Sequence, residues 1–274
     1  MPEETNEEEE ENGRIGTGIS LLDDSLGGGF PRGQAVLVSG KSGTGKTIMS
    51  FQYLFEGVKK GEKGIYISMT EPLFKTVSNL KTFSFYRKEP MENDQIVLED
   101  MRHLMTGEKT DIDTIVDKVS QKVVEAGAER VVIDSITAIA YMMGSKTKIR
   151  ELIFRLGTML ATIGCTVYLT SEVTEEDRAS LYGVEEFIAD SIILLEQESL
   201  DGLRERKMNI IKARGVHLKT SKLDFKIDHD GIVVFPTKRE SLSEIETSEE
   251  KISTGNLGLD KLLNGKKKKK SSTL

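Results

Sequence analysis

The strongest constraint on this chain is an eight-residue run, Gly40-Lys41-Ser42-Gly43-Thr44-Gly45-Lys46-Thr47, which satisfies the pattern G-x-x-x-x-G-K-[ST] at each fixed position. Its flanks fit as well. Gln34 to Ser39 (Gln-Ala-Val-Leu-Val-Ser) reads as a buried strand, and Ile48 to Phe55 reads as a helix with one apolar face. Gly43 and Gly45 let the backbone curl so that successive N–H groups point at one anion, where side chains would obstruct. The N-terminus of the following helix adds partial positive charge at the same place. Ser42, Gly43, Thr44, Gly45, Lys46, Thr47 and Ile48 are therefore the candidate phosphate-contacting residues. Lys46 would reach the β- and γ-phosphates of a nucleotide, and the Thr47 hydroxyl would take one position on Mg²⁺. A glycine-rich turn that binds nothing would require the loop, the Lys-Thr pair and both flanking elements to coincide by chance.

Further along, strands end in polar groups that such a site could use. Arg130-Val-Val-Ile-Asp-Ser135 is an apolar strand ending in Asp134, which in this context sits near the metal, though an Asp there can also cap the next helix. Ile65 to Thr70 ends beside Glu71, a candidate for polarising the attacking water. The alternative is a first-turn helix Glu after which Pro72 starts the helix. Val167 to Ser171 offers Thr170 or Ser171 as a sensor of the γ-phosphate, or as a plain strand cap. Lys212 and Arg214 lie two apart on a strand, so they share a face. They could supply an arginine finger to a neighbour's nucleotide, yet spacing alone favours a solvated edge strand.

The alternation of elements implies the fold. Strands are expected at 34–39, 64–69, 95–99, 130–134, 165–171, 190–196, 207–213, 222–228 and 232–235, and helices at 46–59, 72–83, 111–126, 148–163 and 182–187. This is an α/β chain with a mostly parallel sheet, helices on both faces and an antiparallel C-terminal extension. The 274 residues suit one large domain. The lone Cys165 excludes an intramolecular disulfide and is expected to be buried and inert, in a reducing cytoplasm. No apolar stretch is long enough to span a bilayer.

The ends are distinct. Residues 1–13 form an acidic tail expected to be disordered, and 266–274 form a Lys-rich tail. With both set aside the body is still acidic, which argues against nucleic acid as a partner. Residues 14–240 are expected to be the folded domain, with 241–265 a linker and an echo of its start. Lys251 to Gly265 repeats Arg14 to Gly28, sharing the T-G-x-x-x-L-D core. Ile252, Leu257, Leu259, Leu262 and Leu263 are apolar enough to form a short helix there.

Taken together, these segments resemble the KaiC family of RecA-like ATPases. The resemblance runs from about Gly16 to Pro236. It is carried by Gly40–Thr47, Val131–Ser135, Arg150-Glu-Leu-Ile-Phe-Arg155, Tyr182-Gly-Val-Glu-Glu-Phe-Ile-Ala-Asp190 and Lys212-x-Arg214-Gly-x-His217. It implies a RecA-type core that binds ATP and Mg²⁺ and assembles into a homo-oligomeric ring, a hexamer, with ATP between subunits. Lys212 and Arg214 match family residues that reach the γ-phosphate from the adjacent subunit, which overturns the reading from spacing. His217 matches another residue lining that nucleotide, and Thr82 falls where the family has a Ser near the base. The family often carries two adjacent Glu at the water-activating position; here they read Thr70-Glu71, so hydrolysis is expected to be slow. Glu186-Phe187 stands where a phosphorylated Ser-Thr pair would be, so autokinase activity is not implied. The alternatives are a nucleotide-dependent binding module with little hydrolysis, whose protein partner reads the ATP state, and a RadA-like DNA-handling ATPase.

Overall fold

The computed structural model describes residues 13–105, 111–144, 146–173, 189–200 and 203–235, together with the backbone of 251–252 and 267–268. Residues 1–236 form one unit and 237–274 a second.

The first unit is built on a nine-stranded sheet in the order β11-β10-β9-β8-β3-β7-β6-β4-β5. Six strands are parallel: β3 (Ala35–Gly40), β4 (Gly64–Ser68), β5 (Ile96–Asp100), β6 (Arg130–Asp134), β7 (Thr166–Glu172) and β8 (Ser191–Leu200). β9 (Leu203–Ala213), β10 (Lys222–Asp228) and β11 (Gly231–Phe235) then extend the sheet antiparallel. Both the parallel body and the antiparallel extension are as the sequence implies.

Strand periodicity divides the core into two layers, because alternate side chains face opposite sides. Leu37, Ile65, Ile67, Val131, Ile133, Val167 and Leu169 pack on one face. That face is covered by α5 (Ile112–Ala126), α6 (Ile136–Met143) and α7 (Lys146–Thr162). Val36, Val38, Tyr66, Val132, Tyr168 and Ile193 pack on the other. There lie α2 (Lys46–Lys59) and the N-terminal segment of β1 (Arg14–Ile15), α1 (Ser20–Ser25) and β2 (Phe30–Pro31). α3 (Leu73–Leu80) and α4 (Glu89–Glu92) join β4 to β5.

The structure differs from the expectations in several places. α2 is not one-sided: Ser50 and Gln52 are buried along with Met49, Phe51, Tyr53 and Leu54. The N-terminal segment lies against its outer side, where a Cβ on Gly18 would meet the Gln52 carbonyl oxygen at 2.7 Å, and the Gln52 side chain is bonded to Ile232. α6 was not among the expected helices, since its eight residues are apolar almost throughout and give no periodic signal. Cys165 precedes β7 rather than lying in it, but it is buried as expected. Its thiol donates to the Ala128 carbonyl at 3.0 Å, and burial pushes its pKa up to about 11, so it stays a thiol. The helix expected at 182–187 lies outside the described residues. Among the described residues no helix is long and apolar enough to cross a membrane.

In the second unit only one strand pair is described, Lys251–Ile252 against Lys267–Lys268. Its register, Lys251 opposite Lys268 and Ile252 opposite Lys267, has the spacing of Arg14 opposite Pro31 and Ile15 opposite Phe30. The residues expected to form a helix between them, 257–263, lie outside the described residues.

Candidate functional site

The phosphate loop occupies the turn from β3 into α2. Gly43 and Gly45 have φ of 78° and 107°, the left-handed region that glycine alone enters freely. Gly45 has a second reason to lack a side chain. A Cβ there would stand 2.9 Å from Ile227 Cδ1, because the β10–β11 hairpin packs beneath the loop. Gln52 fixes that hairpin: its side chain accepts from Ile232 N–H at 2.9 Å and donates to Ile232 O at 3.3 Å.

Within the loop, Lys46 Nζ donates to the carbonyls of Gly40 (2.8 Å) and Lys41 (3.0 Å). Lys46 is buried, and burial lowers its pKa against the opposing pull of Glu172 and Asp134. Thr44 is also buried, its hydroxyl donating to Lys41 O at 2.8 Å, so its side chain shapes the loop rather than facing outward.

Asp134 ends β6 next to the loop and accepts three hydroxyls. Thr47 Oγ1 (2.8 Å) and the Tyr66 phenol (2.7 Å) donate to Oδ2, and Thr170 Oγ1 (2.6 Å) donates to Oδ1. Burial and the Asp134 carboxylate push the Tyr66 phenol well above its ordinary range, so it remains a donor. Thr170 is therefore turned toward Asp134. Glu71 follows β4. Its backbone carbonyl accepts the Ser68 hydroxyl at 2.6 Å, and its Oε2 lies 3.4 Å from Thr76 Oγ1.

These groups line one cleft of about 490 Å³. Its walls include Ser42, Gly43, Gly45, Lys46, Thr47 and Ile48 of the loop, Asp134 of β6 and Glu71 beside Thr70. Sequence reasoning did not foresee Tyr66, Lys75, Ser135 and Glu172 on the same walls. Glu172 was legible as the polar end of β7; Tyr66, mid-strand, carried no signal.

The donor chemistry fits a nucleotide with a divalent cation. Asp134 beside a polyphosphate would repel it unless a cation lay between, and the Thr47 hydroxyl with the Asp134 carboxylate is a hard-oxygen pair of the kind Mg²⁺ takes. Among the described residues no group of three or more His, Cys, Asp or Glu could hold a metal alone. That agrees with an ion that enters with phosphates and keeps waters.

The remaining candidates lie elsewhere. Thr82 lies beyond α3, exposed, donating to Asn79 O at 2.8 Å, while His229 Nδ1 lies 3.0 Å from its carbonyl. It does not line the cleft, because α3 carries the chain about 12 Å onward. Lys212 and Arg214 come at the end of β9. That strand runs antiparallel, so Ala213 pairs with Ser191, which pairs with Val36 at the start of β3. The pair thus lies at the sheet end opposite the loop, separated from Gly40 by about 13 Å of strand. Lys212 Nζ donates to Ala189 O at 2.7 Å, and Arg214 is 3.3 Å from the Asp190 carboxylate. His217 is exposed in the turn beyond.

A parallel sheet with a phosphate loop after its central strand, and an acidic strand end beside the loop, defines a RecA-like P-loop ATPase domain. Comparison with known proteins narrows the class. A family model described as "ATPase: KaiC" matches residues 15–239. The circadian clock oscillator protein KaiC of Prochlorococcus marinus (strain MIT 9313) is 32% identical over 92% of this chain and 52% of its own length. KaiC of Synechococcus elongatus is 30% identical over 95% of this chain and 51% of its own. A crystal structure of a KaiC-like protein from the archaeon Pyrococcus horikoshii OT3 superposes with a TM-score of 0.71 at 32% identity, covering 81% of this chain and 99% of that one. The chain belongs to the KaiC ATPase family, and it spans about half the length of the clock proteins it matches.

Proposed function

We propose that this chain is a ring-forming, nucleotide-dependent switch that binds ATP with Mg²⁺ between subunits and hydrolyses it slowly. The observation that carries the reading is the convergence of Lys46, Thr47, Asp134 and Glu71 on one cleft. Lys46 and the loop amides hold the phosphates. Thr47 and Asp134 hold the cation, which when bound neutralises charge developing on the β- and γ-oxygens. Glu71 takes a proton from the water as its oxygen bonds the γ-phosphorus and the bond to the ADP oxygen breaks. Glu71→Gln is expected to bind ATP as the wild type does and to lose turnover about 100-fold or more. Equilibrium binding with a phosphate-release assay checks it; wild-type turnover would sink the assignment.

The inter-subunit part rests on the place of Lys212 and Arg214. They lie at the sheet end opposite their own loop, which supports a role toward the ATP of another subunit. If so, Lys46→Ala and Arg214→Ala chains are each inactive alone but recover part of the wild-type rate when mixed, since some interfaces then carry an intact loop and an intact Arg214. No recovery in mixed oligomers of verified composition would remove the trans role. Thr70, exposed on the cleft wall beside Glu71, supports a second reading, a binding module with incidental hydrolysis. ATP-dependent oligomerisation without phosphate release would select it.

A further inference from the structure

We infer that Tyr66 is a positioning residue for the metal-side carboxylate, Asp134. The Tyr66 side chain is buried in β4 and forms part of the cleft wall. Its hydroxyl donates to Asp134 Oδ2 at 2.7 Å. The Thr76 hydroxyl, by contrast, lies 3.4 Å from Glu71 Oε2.

An ionised carboxylate offers about four acceptor positions. At Asp134 three are taken, by Thr47, Tyr66 and Thr170. One position is left to face the cation site, enough for a single hydrogen bond from a cation-bound water and too little for bidentate coordination. With the Tyr66 donor gone, Thr47 and Thr170 still hold one oxygen each, but Oδ2 gains a second open position and the carboxylate is no longer limited to one geometry toward the cation. Outer-shell partners of this kind commonly change metal affinity by 10- to 100-fold.

The inference rests on the proposed cation–nucleotide site, and its test separates the two. Mn²⁺ binding is followed by electron paramagnetic resonance in the presence of ADP, alongside ADP affinity in EDTA. Tyr66→Phe, which keeps the ring and its packing, is expected to weaken Mn²⁺ binding about 10-fold or more while EDTA affinity stays within about twofold. Thr76→Val keeps the phenol bonded to Asp134, so it is expected to leave Mn²⁺ affinity at the wild-type level and lower kcat. Unchanged Mn²⁺ affinity in Tyr66→Phe overturns the inference. So does an equal loss of metal-free ADP affinity, or the same Mn²⁺ loss in Thr76→Val, since either marks a general disturbance of the pocket. A wild-type protein that binds ADP with no Mn²⁺ dependence sinks the cation site itself, and Tyr66's role with it.

Discussion

Replacing Lys46 with alanine is expected to lower ATP affinity about 100-fold or more, without destabilising the fold. A hydrogen bond to a charged group contributes about 1.5–3 kcal/mol, and a lysine bridging two phosphates makes at least two. In the free protein Lys46 spends its donors on the Gly40 and Lys41 carbonyls of its own loop. That arrangement is a poor home for a cation, which is why burial lowers its pKa. Phosphate oxygens restore a full charge partner, so the lysine's interaction is stronger with nucleotide than without it.

Two consequences separate this account from a merely structural lysine. Removing a buried, under-compensated charge leaves the unfolding midpoint unchanged or slightly raised, where loss of a structural ion pair lowers it. The pH dependence also has a definite sign. The free-state pKa lies below the ordinary 10.5 and bound phosphate raises it, so binding takes up protons in the alkaline range. Wild-type affinity should therefore fall as pH rises through the free-state pKa, and Lys46→Ala should lack that limb. Calorimetric titration of ATP between pH 7 and 10 tests both. Wild-type affinity in Lys46→Ala would end the assignment of the loop.

The parts of this molecule that could be read from sequence are those where local backbone chemistry leaves a trace. Gly43 and Gly45 stand where left-handed φ is needed, and Asp134 and Glu71 stand just where apolar runs stop. The hairpin β10–β11 announces itself by Asp228-His-Asp-Gly231, with φ of 87° at the glycine. What could not be read depends on pairings distant in sequence. Tyr66 looks like an ordinary strand aromatic until β6 places Asp134 beside Ser68. Thr170 looks like a phosphate sensor or a plain strand cap, and only the pairing of β7 with β6 shows that its hydroxyl meets Asp134. Lys212 and Arg214 look like solvated cations, and only the antiparallel direction of β9 shows which end of the sheet they reach.

Arg130 is the strongest case of such hidden pairing, and it gives the largest expected effect on stability. It opens β6 at the sheet end away from the loop, where a charged residue reads as a solvated strand start. It is instead fully buried. Its Nε donates to Glu62 at 2.6 Å, and Nη1 donates to the carbonyls of Gly16 (2.7 Å) and Tyr53 (2.8 Å). The guanidinium also lies 4.6 Å from the Tyr53 ring centroid. A Cβ on Gly57 would stand 2.5 Å from the Arg130 side chain, so α2 has a glycine where the arginine passes. One side chain thus ties the N-terminal segment, α2 and β6 together, and Glu62 balances its charge while also pairing with a second cation, Arg32.

Glu62→Gln should then cost about 3–5 kcal/mol at pH 7, because it leaves the Arg130 cation buried without a counter-charge. For a domain of this size that is roughly a 10 °C fall in unfolding midpoint. Burial by itself would raise the Glu62 carboxyl, but Arg32 and Arg130 outweigh it and hold the pKa below 4.5. A carboxyl depressed in the folded state contributes stability in full above its unfolded pKa and loses it as pH falls through the folded one. The wild type should accordingly lose stability relative to Glu62→Gln below about pH 4.5, and the two curves should converge in acid. Adding Arg130→Met should recover much of the loss at pH 7, since an apolar pair of similar volume carries no unbalanced charge. Urea denaturation of the three chains at pH 7 and pH 4 measures each step. If the double variant is no more stable than Glu62→Gln alone, the cost lies in the lost bonds to Gly16 and Tyr53 rather than in the stranded cation.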